Sequence, residues 1–266
     1  SFLDNISSTL SCINISFHYY TTNPFGYQSK QPDFSEIPWE TNPGFILGNI
    51  GSCIKTFTHN SFSNGNWEDT GVILKIDPND DYVAIGIRNS FGITVDPLTG
   101  NLWMTENGPD RYDEINLMLE KSNLGWAKHV GPVNEGDVAI LPGYEEYTYK
   151  NPKFSWELPV GVTALEFADS DMFKKYRNWL FVADTNNGNI YKFRLNSDRD
   201  GFVFNEYHLQ DNILNITDDP KNSLVESMDE ILFGKNFGLI SDLEFGPDGS
   251  LYVVSLLDGI IYKISS

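Results

Sequence analysis

One short unit recurs along the chain and restricts the folds that the chain can adopt. Residues 89–106 read NSFGITVDPLTGNLWMTE, and residues 239–255 read LISDLEFGPDGSLYVVS. Each copy contains an apolar run, a turn with Asp-Pro or Gly-Pro followed by glycine, and a second run that begins with Leu and an aromatic residue. Short apolar runs joined by such turns predict antiparallel hairpins.

A looser copy of the unit spans residues 161–184, and a third strand is predicted behind a glycine turn at residues 188–193 and 259–264. Residues 72–77 have the same character. When one hairpin sheet recurs at intervals of tens of residues, it is typical of a β-propeller, whose blades pack face to face around an axis. A β-sandwich would explain the short strands but not the recurring unit. We therefore predict an all-β fold of the β-propeller type.

The length of the chain limits the number of blades. A blade takes about 40–45 residues, so the 266 residues, with a long insertion between Asn107 and Trp156, supply about four. Residues 1–42 are rich in Ser, Thr, Asn, Pro and aromatic residues and predict an irregular N-terminal segment. Residues 43–266 are predicted to form the propeller domain. A fragment of a longer protein, a four-bladed variant and an open sector completed by a partner all fit this pattern.

The charge of the chain argues against nucleic acids and membranes as partners. There are 37 acidic and 18 basic residues, which give a formal net charge of −19 at pH 7. A surface this negative repels phosphate backbones and anionic lipid headgroups. No apolar run approaches the roughly 18 residues that a membrane-spanning helix requires, so no membrane insertion is expected.

Three features bear on the cellular location. The cysteines are Cys12 and Cys53, whose spacing fits neither a zinc site nor a CxxC redox motif, so one disulfide or two free thiols are expected. The chain starts at Ser1, which suggests a removed leader or a longer precursor. Glycosylation sequons of the form Asn-x-Ser/Thr begin at Asn5, Asn14 and Asn215. An extracytoplasmic or secreted location is expected.

Two local segments allow specific predictions. Residues 170–177 are the best helix candidate, with two turns at most. Residues 196–201 read NSDRDG and match the first half of an EF-hand calcium loop, but Tyr207 occupies the twelfth position, where that loop needs Glu. A hairpin tip between blade strands is therefore favoured over a calcium loop.

A longer pattern of motifs gives the chain its most specific resemblance. Residues 86–92 read GIRNSFG, residues 105–109 read TENGP, residues 113–117 read DEINL, and residues 123–126 read NLGW. This order and spacing resemble the soluble quinoprotein glucose/sorbosone dehydrogenases, whose motifs read approximately RNPxG, TExGPxxxDEIN and NxGW. The resemblance implies a propeller that has six blades in the family and that oxidises aldose sugars with pyrroloquinoline quinone (PQQ) and calcium. A small sugar is then the expected substrate class.

The TENGP and DEINL motifs predict a metal site. The Gly108-Pro109 turn constrains a backbone carbonyl, and Glu114 offers a carboxylate shortly afterwards; such hard oxygen ligands suit calcium. The resemblance implies that backbone oxygens of Gly108 and Pro109 hold the calcium under the quinone. It further implies that Glu114 holds a second, structural calcium. The alternative is that Asp110, Asp113 and Glu114 form a solvated acidic turn.

The cofactor residues are only partly present. Arg88 and Asn89 match the pair that contacts the quinone in the family. The quinone carries three carboxylates, so a site for it needs several Arg or Lys side chains. The further positions at which the family has Gln, Lys or Arg carry other residues here, namely Phe91, Asn186, Asn187 and residues 239–241. Arg88 alone is a poor match for a trianion, and a salt bridge between blades is its alternative role.

The catalytic base cannot be assigned from the sequence. A histidine is the usual base for abstracting a proton from a sugar hydroxyl. None of the histidines of this chain lies in a sequence context that matches the catalytic histidine of the family; they are His18, His59, His129 and His208. Two functions therefore remain open. The chain is either a sugar dehydrogenase-like protein whose ancestral activity is degenerate, or a non-catalytic, secreted, calcium-binding propeller that acts as a recognition or surface module.

Overall fold

The computed structural model describes residues 54–57, 72–75, 81–126, 128–134, 145–215 and 227–265. The predicted N-terminal segment, the domain boundary at residue 43, and the sequons at Asn5 and Asn14 lie outside these ranges. So do Cys12, Cys53, His18 and His59, and the expectations that concern them stay predictions.

Nearly all regular structure in the described ranges is strand. The helical segments there are two short 3₁₀ helices, Asp171–Tyr176 and Tyr207–Leu209. No helix in the described part is long and apolar enough to cross a membrane. The strands, in chain order, are β1 Ile54–Phe57, β2 Val72–Lys75, β3 Asp81–Ile85, β4 Ser90–Val95, β5 Leu102–Glu106, β6 Asp113–Met118, β7 Ser122–Asn123, β8 Thr148–Tyr149, β9 Phe154–Trp156, β10 Val162–Phe167, β11 Leu180–Asp184, β12 Ile190–Phe193, β13 Ile213–Leu214, β14 Leu232–Gly234, β15 Ile240–Phe245, β16 Leu251–Ser255 and β17 Ile260–Ile264.

The chain divides into two compact units, residues 1–83 and 84–266. In the first unit, β1 and β2 pair in antiparallel fashion. In the second unit, the last two residues of β3 pair in parallel with β7, and β7 pairs with β8. Three further sheets belong to the second unit, with the strand orders β13-β9-β6-β5-β4, β10-β11-β12-β14 and β15-β16-β17.

These three sheets pack on one another in the order of the chain. The first strands meet, since β4 contacts β10 and β10 contacts β15. An aromatic core that includes Trp103, Trp156 and Tyr191 fills the space between the first two sheets, while Phe181 and Val253 belong to the core between the second and third. Face-to-face packing of successive small sheets is the arrangement that the repeat predicts for propeller blades.

The hairpins of the repeat form where they are predicted. Residues 89–106 become β4 and β5, and residues 239–255 become β15 and β16. Gly100 and Gly249 lie at the hairpin turns with φ of +76° and +80°, a backbone conformation that favours glycine. The predicted helix is also confirmed, as a short 3₁₀ helix whose first turn is capped by the Ser170 side chain.

The segment 196–201 is a hairpin tip, as predicted. The Asn196 backbone N–H donates to the Gly201 carbonyl, and Leu195 and Phe202 form the adjoining β-bridge. Its Arg199 donates from Nε to the fully buried Asp96 at 2.5 Å. The tip therefore ties one sheet to the Asp-Pro turn of its neighbour.

Strands of neighbouring sheets alternate along the chain. After β12, the chain returns to the preceding sheet, where β13 pairs in parallel with β9. It then goes back to pair β14 with β12. The two sheets are thus interleaved in sequence as well as packed in space.

Glu166 on β10 lies near two acidic side chains of β15 in the neighbouring sheet. The Thr94 hydroxyl of β4 donates to its carboxylate at 3.3 Å, and β15 contributes Asp242 and Glu244. Burial, followed by repulsion from Glu244, raises the pKa of Glu166 to about 8. The protonated form of this side chain is therefore favoured by folding.

Replacing Glu166 with Gln is expected to stabilise the protein at pH 9 by about 1 kcal/mol and to have little effect at pH 5. Because the folded-state pKa is raised, the contribution of Glu166 to stability is complete below its unfolded pKa. It is lost as the pH rises towards about 8. Urea unfolding at the two pH values measures the difference, with the exposed Glu120→Gln as control. An equal effect at both pH values would contradict the assignment.

Candidate functional site

Two buried glutamates face each other across the β5–β6 hairpin. Glu106 and Glu114 are direct partners in the antiparallel register, so their side chains lie on the same face of the sheet. Their exposed fractions are only 6% and 4%. Two carboxylates that share a site with little water repel each other unless a proton or a cation intervenes.

Glu106 has one oxygen that is bonded and one that is not. Oε1 accepts hydrogen bonds from the backbone N–H groups of Arg88 at 2.6 Å and Asn89 at 2.7 Å. Oε2 is buried and has no hydrogen-bond partner. Burial raises the pKa of Glu106 to about 8, and repulsion from Glu114 adds to the shift.

Glu114 is held from both sides. Its Oε1 accepts from the Gly131 backbone N–H at 2.7 Å, and its Oε2 accepts from the Asn116 side-chain amide at 2.9 Å. Burial raises its pKa to about 7. This side chain is not part of a solvated acidic turn, so that alternative is wrong for Glu114.

Asp113 fixes the turn that joins the two strands. Its Oδ1 accepts from the Gly108 N–H at 3.0 Å, and its Oδ2 accepts from the Gly161 N–H at 2.6 Å and the Val162 N–H at 3.3 Å. Gly161 and Val162 begin the next sheet at β10. One buried carboxylate therefore sets the position of the Gly108 turn relative to the neighbouring sheet.

Arg88 also reaches the turn. Its Nη1 donates to the carbonyl oxygens of Asn107 at 2.8 Å and Gly108 at 3.2 Å. Its guanidinium carbon lies 5.4 Å from the centre of the Trp126 ring, within cation–π range. In these contacts the guanidinium orders the carbonyls of the turn.

These groups surround a small cavity. Its free volume is about 10 Å³, on the scale of a single water molecule or ion. Oxygen atoms are available there from the two glutamates and from the Asn107 and Gly108 segment. Its lining residues are Gly86, Arg88, Glu106, Asn107, Gly108, Tyr112, Glu114, Leu124, Trp126, His129 and Val130.

The structure brings together most of the residues singled out in the sequence. Arg88, Gly108 and Glu114 line the cavity, and the backbone of Asn89 bonds to Glu106 behind it. Pro109 is exposed and is not among the lining residues. Sequence reasoning gave Glu106 no role. The hairpin register could have identified Glu106 from the sequence, because the strands on either side of the Gly108 turn place Glu106 opposite Glu114.

Histidine enters the site at one position. His129 lines the cavity, and its ring meets Tyr149 edge-on at 5.6 Å between centroids. His208 lies elsewhere, with Nε2 2.8 Å from the Ser227 carbonyl oxygen. Among the described residues, no group of three or more His, Cys, Asp or Glu side chains converges as a metal site. Any cation here would thus depend on backbone oxygens as well as on the glutamate pair.

Comparison with known proteins shows which proteins this chain is similar to. The aldose sugar dehydrogenase YliI of Escherichia coli (strain K12) is 27% identical over 179 residues, which cover 65% of this chain and 40% of that protein. An uncharacterized protein of Synechocystis is 24% identical over 173 residues, covering 65% of this chain and 35% of that protein. The chain thus spans less than half the length of these curated relatives.

A structural match supports the fold. A crystal structure of glucose dehydrogenase superposes with a TM-score of 0.54 at 22% identity, over 74% of this chain and 55% of that one. This confirms the predicted fold class, a β-propeller of the glucose dehydrogenase type, while the number of blades stays a prediction. The family model described as Glucose / Sorbosone dehydrogenase matches residues 68–263, most of the chain. The chain therefore belongs to the glucose/sorbosone dehydrogenase family.

Proposed function

We propose that this chain is a calcium-binding member of the family. Its ancestral activity is the quinone-dependent oxidation of aldose sugars, and the quinone site of this chain is degenerate. The observation that carries the proposal is the buried, unpartnered Oε2 of Glu106, next to Glu114 at an ion-sized cavity. A divalent cation would give that oxygen a partner and offset the repulsion between the two carboxylates.

Calcium fits the donor atoms at this cavity. The carboxylates of Glu106 and Glu114 and the carbonyls of Asn107 and Gly108 are hard oxygen ligands, which calcium prefers. Each carbonyl has two lone pairs, so the hydrogen bonds from Arg88 do not prevent coordination. Bound there, calcium would supply a charge that links β5, β6 and the Gly108 turn. Pro109, proposed from the resemblance as a further backbone ligand, stays untested.

The quinone fits less well. In the part of the chain that the structure describes, Arg88 is the one permanently cationic side chain in the cavity lining, and it already bonds to two carbonyls. Two carboxylates lie beside it, and an ion-sized space does not admit a ring system with three carboxylates. Charges that compensate the quinone would have to come from outside this site, so we derive no sugar oxidation step from these residues.

Adding calcium is expected to stabilise the wild-type chain by about 2.7 kcal/mol at a calcium concentration one hundred times the dissociation constant. Glu106→Gln is expected to remove most of this gain, because the variant loses a charged ligand while keeping the shape of the side chain. Thermal unfolding with calcium or with a chelator measures both effects. Magnesium is expected to be less effective, since it demands a stricter octahedral geometry.

Two comparisons make this test decisive. Without calcium, Glu106→Gln should be at least as stable as the wild type at pH 8, because it removes a buried carboxylate; loss of the calcium effect is then not a folding defect. The exposed Glu120→Gln is the matched control and should keep the full calcium response. A calcium response that survives Glu106→Gln would overturn the proposed site.

A separate measurement addresses the quinone. We expect that PQQ added with calcium leaves no bound chromophore after desalting, and that aldoses cause no dye reduction. Stoichiometric binding of the quinone together with aldose-dependent dye reduction would show instead that this chain is an active dehydrogenase. Without redox activity, the chain would act as a calcium-stapled recognition or surface module, in the extracytoplasmic location expected from its sequence.

A further inference from the structure

A second cavity shares no lining residue with the first. It has about 190 Å³ of free volume and lies beside β12, the 3₁₀ helix Asp171–Tyr176 and the segment that precedes β14. We call it the β12 cavity. The residues that define it here are Lys175, Tyr176, Trp179, Lys192, Arg194 and Glu230.

Side chains alternate between the two faces of β12 and of the residues that follow it, and this explains why cationic side chains point into the cavity. Tyr191 and Phe193 are fully buried in the aromatic core on one face of the strand. Because side chains alternate between the faces of a strand, Lys192 and Arg194 both project from the opposite face. That face borders the β12 cavity.

In the part of the chain that the structure describes, Lys192 is held in place by a backbone carbonyl and not by direct contact with a carboxylate. Its Nζ donates to the Leu232 carbonyl at 2.5 Å, which leaves two of its three donors for other partners. Burial lowers the pKa of Lys192, the positive charge of Lys175 lowers it further, and the negative charge of Glu230 offsets part of this shift. Two ammonium groups that repel each other thus face the same space.

Glu230 is the carboxylate in the lining, and it bonds to main-chain and amide donors. Its Oε1 accepts from the backbone N–H and the side-chain amide of Asn205, both at 2.8 Å, and its Oε2 accepts from the Glu206 N–H at 2.8 Å. These bonds order the loop after β12 and partly neutralise the carboxylate. Three cationic side chains therefore outweigh one occupied acid, in a chain whose net charge is −19.

Aromatic rings form a wall of the cavity. The rings of Tyr176 and Trp179 meet at 5.4 Å between centroids, and Trp179 stays partly exposed. The Lys175 ammonium lies 5.1 Å from the Tyr176 ring centre. Aromatic faces beside cations suit a ligand that has both a ring and a negative charge.

We propose that the β12 cavity binds a monocyclic organic carboxylate, with its ring against Trp179 and its carboxylate between Lys192 and Arg194. The volume sets the size of the ligand, because a cavity of about 150 Å³ already holds a benzene ring. The space is too small for a nucleotide or a polymer, since sites for larger ligands take about 300 Å³ or more. This inference does not depend on calcium or on the quinone.

Titration calorimetry of the whole chain tests the proposal with four probes: benzoate, glucuronate, inorganic phosphate and glucose. We expect a ring carboxylate to bind with a dissociation constant on the order of 1 mM or lower, and phosphate and glucose to bind at least about tenfold more weakly. Benzoate and glucuronate distinguish an aromatic ligand from an acidic sugar. Failure of both to bind at 10 mM, on the order of ten times the expected constant, would overturn the proposal.

Variants locate the binding site. Lys192→Met and Arg194→Met should each weaken binding of the ring carboxylate by about tenfold, and Trp179→Leu should weaken it by a similar factor. The matched control is Lys235→Met, which removes an exposed lysine that does not line the cavity. Unfolding curves show which variants are folded. Binding that is unchanged in all three folded variants, or lost equally in Lys235→Met, would place the ligand elsewhere and overturn the assignment.

Discussion

Gly108→Ala is expected to lower the free energy of unfolding by about 3 kcal/mol or more and to abolish the stabilisation by calcium. A Cβ atom built on Gly108 would fall far inside van der Waals contact with the carbonyl oxygens of Arg111 and Tyr112. Both contacts are with backbone, so no flexible side chain can move aside. The turn itself must shift, and with it the carbonyls that Arg88 now orders.

Chemical unfolding with and without calcium measures this prediction. The matched control is Gly201→Ala, where the nearest atom to a new Cβ is the Asn196 side-chain amide at 3.7 Å, an ordinary contact. That variant should keep both its stability, within about 1 kcal/mol, and its calcium response. A Gly108→Ala protein with wild-type stability and a wild-type calcium response would show that the turn is not built as described.

Asp113→Ala is expected to destabilise the protein by about 3–5 kcal/mol, because it deprives buried donors of their acceptor in two places at once. The N–H of Gly108 loses its partner in the turn, and the N–H groups of Gly161 and Val162 lose theirs at the start of β10. We also expect weaker calcium binding, since the Gly108 turn is no longer fixed against the neighbouring sheet.

Replacing Asp113 with Asn should destabilise the protein less than replacement with Ala does. The amide oxygen can still accept a hydrogen bond at one of the two places, whereas the amide NH2 group is itself a donor and cannot accept at the other. The matched control is Asp229→Ala, at an exposed aspartate, whose expected effect is within about 0.5 kcal/mol. Urea unfolding ranks the three variants. An Asp113→Ala variant as stable as the Asp229 control would show that the carboxylate does not join the two sheets.

Much of the fold could be predicted from the sequence, since the repeat is itself a local property. The hairpin of residues 89–106 needs only alternation, an Asp-Pro turn and a glycine that accepts a positive φ, and all three are visible in the sequence. The return of β13 to the preceding sheet was not predictable. It is a two-residue parallel pairing of Ile213 with Ser155 and Leu214 with Trp156, which no periodicity reveals.

The candidate site was predictable in part for the same reason. Gly108 and Glu114 belong to a motif that can be read along the chain, whereas the importance of Glu106 arises from cross-strand register and from burial of one of its oxygens. The hydrogen-bond partners of Arg88 are backbone carbonyls that only folding brings close to it, so the sequence alone does not identify them. The β12 cavity was invisible in the sequence, because its residues come from segments that only the folded chain brings together.

The interleaved order of the strands determines how this protein can be divided. The β4–β5–β6–β9–β13 sheet and the β10–β11–β12–β14 sheet can be segregated only by cutting the chain after β9, after β12 and after β13. A single proteolytic nick between β9 and β14 should therefore leave two polypeptides that remain associated, because the C-terminal polypeptide supplies a strand to a sheet of the N-terminal one. For the same reason, exchange of one contiguous gene segment cannot transplant either blade without also moving a strand of the other.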